Sequence, residues 1–298
     1  METQISLPVF EQKAHFKDFI QSIIQKFQPL QIFCFARNAL SEETTGCFFE
    51  AQTKYKCNYC LLLVTESPTR IDYEVQDFSN THYKHGIITI LCHGRESIEE
   101  AIKANSRFFI TIYRVGKLIY SRDGMTNLDF PFRFIPSVAA IKARKHFDYR
   151  LPLADSFLIG ATECLSKEQY NVCVFMLHQV VEQTCIGLIR IYQAYRSEIH
   201  NLHRLLRLCC SFSYEPIKTF LSGSPEDERL FDILQKSYSG VRYKNSFVVL
   251  ADDAWVLYNK TVAFVALARD MCTDKIAQLE QEAVQYKELA GESEAGDE

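Results

Sequence analysis

Hydrophobic residues recur along the first part of the chain with two different periods. Phe16, Phe19, Ile20, Ile23 and Phe27 fall on one face at helical spacing, which predicts an amphipathic helix over residues 9–28. Pro29 ends it, and the short apolar run Leu30–Ala36 predicts a buried strand. The polar segment RNALSEETTG reads as a loop, and CFFEAQTKYK after it fits neither period. Tyr59–Thr65 and Gly86–His93 are two further short apolar runs, read as buried strands. A helix is predicted from Ser97, closed by Gly116, with a last short strand at Lys117–Ser121. Buried strands alternating with helices predict an α/β layer.

The period changes after residues 122–137, a stretch holding Gly124, Pro131 and Pro136 with no helical stripe. Beyond it the pattern is helical. Ala154, Phe157, Leu158, Ala161 and Leu165 form one stripe, and Tyr170, Cys173, Leu177, Val180, Val181, Thr184 and Leu188 a longer one. Leu202, Leu205, Leu206 and Cys209 form a third. Ser224 as cap, Pro225 in the first turn and the acids Glu226–Glu228 predict a helix start. A last helix is predicted from Asp252 to beyond Leu279, with Trp255, Tyr258, Val262, Val265, Cys272, Ile276 and Leu279 in heptad-like repeat. The expected division is an α/β domain over residues 1–130, a helical domain over 131–287, and an acidic, disordered tail over 288–298.

Composition narrows the classes. The chain has 298 residues, 47% of them hydrophobic, enough to build two cores. A net charge of −4 without a lysine-rich arm argues against strong nonspecific binding to nucleic acid, but leaves room for a local basic cleft. The 11 cysteines, odd in number and irregular in spacing, do not form a secreted disulfide framework. Several, such as Cys173, sit in apolar runs as small core residues. The N-terminus lacks the features of a signal peptide, and no uninterrupted apolar stretch reaches membrane-spanning length. These features predict a soluble protein of a reducing compartment, the cytoplasm, with no membrane partner.

The order of elements in the first domain, with the frames IFCFARNA (Ile32–Ala39) and CNYCLLLV (Cys57–Val64), resembles the minimal nucleotidyltransferase fold. That family holds a triphosphate on a Gly-Ser pair after the first strand. It binds two magnesium ions through an Asp-x-Asp on the second strand and a third Asp on a later one, because the ions need hard oxygen ligands. Here Ala36 and Arg37 stand at the Gly-Ser pair, Asn58 and Cys60 at the two carboxylates, and Thr89 at the third. The resemblance therefore implies a fold without its metal site. No cofactor or metal is expected, and no nucleotidyl transfer. Arg37 is left as a phosphate donor or an ordinary solvated loop arginine, and Asn58 as a nucleotide-contacting amide.

Cys57-x-x-Cys60 lacks the second pair that a structural zinc site needs, and reads as two strand cysteines on or near one face. Asp72, Glu74 and Asp77 would form a relocated metal site only if the strand register differs; otherwise they belong to a solvated loop or edge.

The second domain resembles HEPN domains in four features that follow in order. They are the opening helix pair SFLIGATECLSKEQYNVCVFMLHQVVEQTCIGLI, its segment Leu177-His178-Gln179 with Glu182, the start of the third helix at HNLHRLL (His200–Leu206), and SYSGVRY (Ser237–Tyr243) before the last helix. The predicted fold class is thus an α/β nucleotidyltransferase-like N-terminal domain followed by an all-α HEPN-type antiparallel helical bundle. Ribonucleases of that family carry an Arg and a His with four to six residues between them, facing the same motif of a second subunit. The His serves as acid and base, and the Arg stabilises charge on phosphate.

Arg242 fits the Arg, but Phe247, Val248 and Val249 fill the His positions, so the resemblance implies a binding domain without metal-independent cleavage. Arg242, Tyr243 and Lys244 are the candidate anion and base contacts, with an Arg242–Glu182 ion pair as the alternative. His178 and Glu182, one turn apart, are either a polar pair facing a nucleotide or a core histidine and its partner. His200 reads as a helix-start hydrogen-bonding group; with His203 it has metal-ligand spacing but no accompanying carboxylate in the motif.

Such fused pairs resemble toxin–antitoxin and defence components. The expected function is a noncatalytic nucleotide- or RNA-binding regulator, homodimeric through its helical domain. An active ribonuclease or transferase with relocated residues, and a protein-interaction scaffold, are the alternatives.

Overall fold

The computed structural model describes the backbone of residues 7–46, 49–124 and 134–295, and the side chains of 13–39, 57–124 and 134–288. The chain divides into two compact units, Met1–Arg133 and Phe134–Glu298.

The first unit contains α1 (Leu7–Phe27), β1 (Gln31–Gly46), β2 (Phe49–Thr65), α2 (Asp72–His82), β3 (Ile88–Gly94), α3 (Arg95–Lys103), α4 (Arg107–Val115) and β4 (Lys117–Ser121). The strands form one mixed sheet in the order β3-β2-β1-β4, with β2 parallel to β3 and the other pairs antiparallel. The polar segment read as a loop is instead the distal half of β1. It pairs with β2 from Asn38↔Asn58 through Thr44↔Gln52 in the ambiguous stretch, and past a register shift at Gly46↔Phe49. Backbone pairing across a long hairpin overrides a composition that favours turns.

Alternation along β2 sorts the two faces. Cys57, Tyr59, Leu61 and Leu63 join Phe19, Ile20 and Ile23 of α1 and Val75 of α2 in one buried cluster. On the other face Phe33 meets Tyr113, and His93 meets Phe109, both partners from α4. Cys57 and Cys60 therefore point to opposite faces, three residues apart on a strand, and are not the one-faced pair expected. Gly86, at φ +140°, precedes β3 where a Cβ would stand 2.1 Å from the Cys57 carbonyl oxygen, so no side chain fits. The single helix predicted over 97–116 is two helices, broken where Asn105 adopts φ 59°. That residue tolerates the left-handed conformation better than most.

The second unit is all helical: α5 (Pro136–Ser166), α6 (Tyr170–Gln193), α7 (Leu202–Cys209), α8 (Glu215–Lys218), α9 (Pro225–Tyr243) and α10 (Ala251–Ala295). α6 is its central helix, packed by α5, α7, α9 and α10. Fourteen of its residues are buried, among them Leu177, Val180, Val181, Leu188 and Ile189. α6 is also apolar enough over 24 residues to cross a membrane by composition. Its burial inside the bundle accounts for that composition. Ala154 of α5, Val180 of α6 and Val265 of α10 meet in one cluster, with Phe157 and Leu158 at its margin.

α9 starts as its sequence predicts: the Ser224 side chain accepts from Asp227 N, and Pro225 occupies the first turn. The heptad reading of α10 is out of step at its start. Leu257 and Phe264 are fully buried, while Trp255 and Val262 are exposed. The helix continues to Ala295, through most of the tail whose acidic composition predicts disorder.

Candidate functional site

The side chains singled out in the second unit converge where α6, α9 and the segment entering α7 meet. Glu182, on α6, is buried, and its Oε1 lies 3.0 Å from Nδ1 of His200. His200 itself is well exposed and stands outside α7. The helix start is capped by Asn201, whose side chain accepts from Arg204 N, so His200 is not the helix-start group expected of it. Its role is to bridge to α6.

His178, one turn before Glu182, is buried, and its Nδ1 lies 3.8 Å from Glu182 Oε2. That is too long for a hydrogen bond. Burial, reinforced by the charges of Arg242 and His200, pushes the His178 pKa down to about 4, so the ring is neutral near pH 7 and forms no ion pair. Gln179 Nε2 lies 3.2 Å from its Nδ1.

The ring of Tyr238, on α9, links these groups to Arg242. Its centroid is 5.1 Å from that of His178, near parallel, and the Arg242 guanidinium lies 4.0 Å from it. Arg242 Nε donates to Tyr238 O at 2.7 Å, which fixes the side chain against the ring. The guanidinium is exposed, and it forms no ion pair with Glu182 among the described residues. A stacked, exposed guanidinium keeps a planar donor fork available to an anion. Tyr243 is 76% exposed, its ring 5.0 Å from the same guanidinium, and Lys244 beside it is exposed. The chain thus brings together His178, Glu182, His200 and Arg242, with Tyr243 and Lys244 at the margin. Tyr238 was not singled out in the sequence; its place four residues before Arg242, one turn away on the same helix face, was the available signal.

The segment after Arg242 is held away from this role. Asn171 Nδ2 donates to Phe247 O at 2.9 Å, and its Oδ1 accepts from Val249 N at 2.8 Å. The Phe247 ring packs on Gly240, where a Cβ would come within 2.6 Å of it. Phe247 is therefore a packing residue. His203 lies against Phe231 at 5.6 Å between ring centroids, and burial pushes its pKa down to about 4. It is a packing residue of α7, separate from His200.

Residues 148–271 match the HEPN domain family. The matched segment is less than half of the chain and contains the whole cluster around Glu182 and Arg242. No curated protein matches the chain. A HEPN domain points to a nucleotide- or RNA-related function of toxin or defence type.

In the first unit, the strand register places Asn58 and Cys60 on one face of β2, with Thr89 of β3 paired to Cys60. Asn58 Oδ1 accepts from Ile87 N at 2.9 Å, and the amide fixes the entry to β3. Arg37 lies within β1, not in a loop; it is exposed, with Nη2 3.7 Å from Cys57 Sγ. It lies on the face opposite Asn58, because it pairs with Tyr59.

Asp72, Glu74 and Asp77 form the first turns of α2, a helix absent from the sequence reading. Asp72 is buried, accepting from Cys92 N at 3.0 Å and Arg70 Nε at 3.0 Å, whereas Glu74 and Asp77 are exposed. The three carboxylates do not converge. Among the described residues no group of three or more His, Cys, Asp and Glu side chains has the arrangement of a metal site.

Proposed function

We propose that this chain is a noncatalytic nucleotide- or RNA-binding regulator of toxin–antitoxin or defence type, acting in the cytoplasm. Its ligand site lies in the HEPN domain at Arg242. The observation that carries this reading is the exposed Arg242 guanidinium stacked on Tyr238, above the buried His178–Glu182 pair that His200 closes. Arg242 takes a phosphate group, Tyr243 offers a face to a base, and Lys244 adds charge. The noncatalytic character rests on Phe247, Val248 and Val249 at the histidine positions, with Phe247 packed on Gly240.

The N-terminal unit fits the reading as a nucleotidyltransferase-like domain whose carboxylate positions are Asn58, Cys60 and Thr89. The described cysteines are all free thiols, as in a reducing compartment. Homodimerisation through the helical unit belongs to the same proposal. Calorimetric titration of ATP, GTP and short RNA tests it. Binding abolished by Arg242→Ala supports the site, and equal affinity in both proteins rejects it.

A second reading is favoured by one observation. An exposed imidazole held by a buried carboxylate, as His200 is by Glu182, is the arrangement of a general acid–base. In that reading His200 replaces the missing histidine in metal-independent RNA cleavage. Incubation of RNA with chelator-treated protein decides it: fragments that disappear in His200→Ala would establish the enzyme.

A further inference from the structure

A second cluster of basic side chains lies on the helical unit, at the end of α6 away from His178. Lys142, His146 and Arg150 recur at four-residue spacing along one stripe of α5. α6 runs back beside them. Gly187 permits the close approach: a Cβ there would stand 3.4 Å from Arg150 Cβ and 3.5 Å from Leu151 Cδ2. One turn below Gly187 on the same side, α6 carries Gln183, whose Oε1 accepts from Arg150 Nη1. Three residues beyond Gly187 lies Arg190, in the last turn.

These groups act on one another. Arg190, Arg150, Lys145 and Lys142 all disfavour charge on His146, after burial itself, and Arg150 and Arg196 do the same to Arg190. Several other arginines of the unit have carboxylates: Arg144 with Glu280 at 2.9 Å, Arg269 with Asp155 at 2.8 Å, and Arg229 with Asp253 at 2.6 Å. Arg150 and Arg190 have none among the described residues, and their Nε atoms are buried without a hydrogen-bond acceptor. Two half-buried guanidiniums without a counter-charge lower stability, which an anion from outside would restore. The ring of Tyr149 lies 5.1 Å from the Arg150 guanidinium and is 61% exposed.

We infer that Arg150 and Arg190, with His146 and Lys142 beside them, form a phosphate site for the backbone of single-stranded RNA, with Tyr149 as the stacking platform for a base. This site is additional to Arg242 and rests on the RNA arm of the function proposed above. An aromatic face flush with a guanidinium favours a nucleic acid strand over a bare phosphate ion.

The test is binding of a labelled single-stranded RNA to the full chain over a range of salt concentrations. Each phosphate contact on a single strand contributes about 0.7 to the slope of log K against log salt. Arg150→Gln with Arg190→Gln is expected to weaken binding, to lower that slope by about 1.4, and to leave the thermal midpoint of the free protein no lower than wild type. Arg150→Lys with Arg190→Lys is expected to keep most of the slope while losing affinity, because charge remains and the planar fork does not. Lys167→Gln, an exposed charge at the far end of α5, is expected to change neither.

An unchanged slope in the double Gln variant overturns the inference, as does a thermal shift with inorganic phosphate but no RNA binding. If Arg242→Ala weakens RNA binding and the double Gln variant leaves affinity and slope unchanged, this inference falls and the Arg242 site stands. The reverse pattern upholds it and rejects Arg242. Absence of RNA binding by the wild type removes both RNA assignments.

Discussion

His200 Nδ1 stands 3.0 Å from Glu182 Oε1, and this contact ties the segment before α7 to the middle of α6. The carboxylate is buried and the imidazole is exposed, so one bond joins the interior of the bundle to its surface. Glu182→Ala is expected to destabilise the protein by about 1–3 kcal/mol, because the polar groups around it lose their partner. Glu182→Gln keeps an acceptor in place and is expected to lose less. Urea denaturation of both variants checks the order; equal losses would show that the amide oxygen does not replace the carboxylate as acceptor.

His178 and His203 predict how stability depends on pH. Burial pushes both pKa values down from 6.5 to about 4. Below pH 6.5 the unfolded chain binds protons at these rings and the folded chain does not, so stability falls as pH drops from 6.5 towards 4. Each ring accounts for about 3 kcal/mol across that window. The unfolding midpoint of the wild type is expected to fall more steeply than that of His203→Phe as the pH is lowered. Parallel curves would mean that His203 is not held neutral.

Ser224→Ala removes the acceptor of Asp227 N at the start of α9. The expected loss is about 1 kcal/mol, typical of an N-cap, measured by thermal unfolding. No change would mean that the bond between Asp227 and Lys260, at 2.8 Å, holds the helix start by itself.

Asp72 is placed to position β3 rather than to hold magnesium. Asp72→Ala is expected to lower stability by about 1–3 kcal/mol through loss of the Cys92 N contact. Magnesium is expected to leave the wild-type midpoint unchanged. A magnesium-dependent rise that Asp72→Ala removes would contradict this and restore a metal site.

Much of the helical unit was legible because its stripes are long and its helix signals local. Ser224–Pro225 announced α9, and the Leu202–Cys209 stripe announced α7. His178, Glu182, His200 and Arg242 were each visible, but not their pairing. Glu182 could be assigned to His178 or Arg242 with equal reason, since i,i+4 spacing and charge favour them. The bond to His200 depends on how the chain turns between α6 and α7, where no periodicity speaks.

In the first unit the apolar cores of the strands were plain, while the hairpin beyond Arg37 was hidden by a turn-like composition. Helix α2 was hidden because it buries only Asp72, Val75, Gln76 and Ser79, two of which are strongly polar. Cys57 and Cys60 were misplaced because a shared motif obscured the alternation that sends them to opposite faces.

In the proposed function Arg242 holds a phosphate-bearing ligand. Thermal unfolding of wild type and Arg242→Ala with and without ATP, GTP and short RNA tests it most directly, since a ligand that binds only the folded state raises the midpoint. A rise is expected for at least one ligand, independent of magnesium and absent in Arg242→Ala. A rise of equal size in both proteins, or one that requires magnesium, would contradict it.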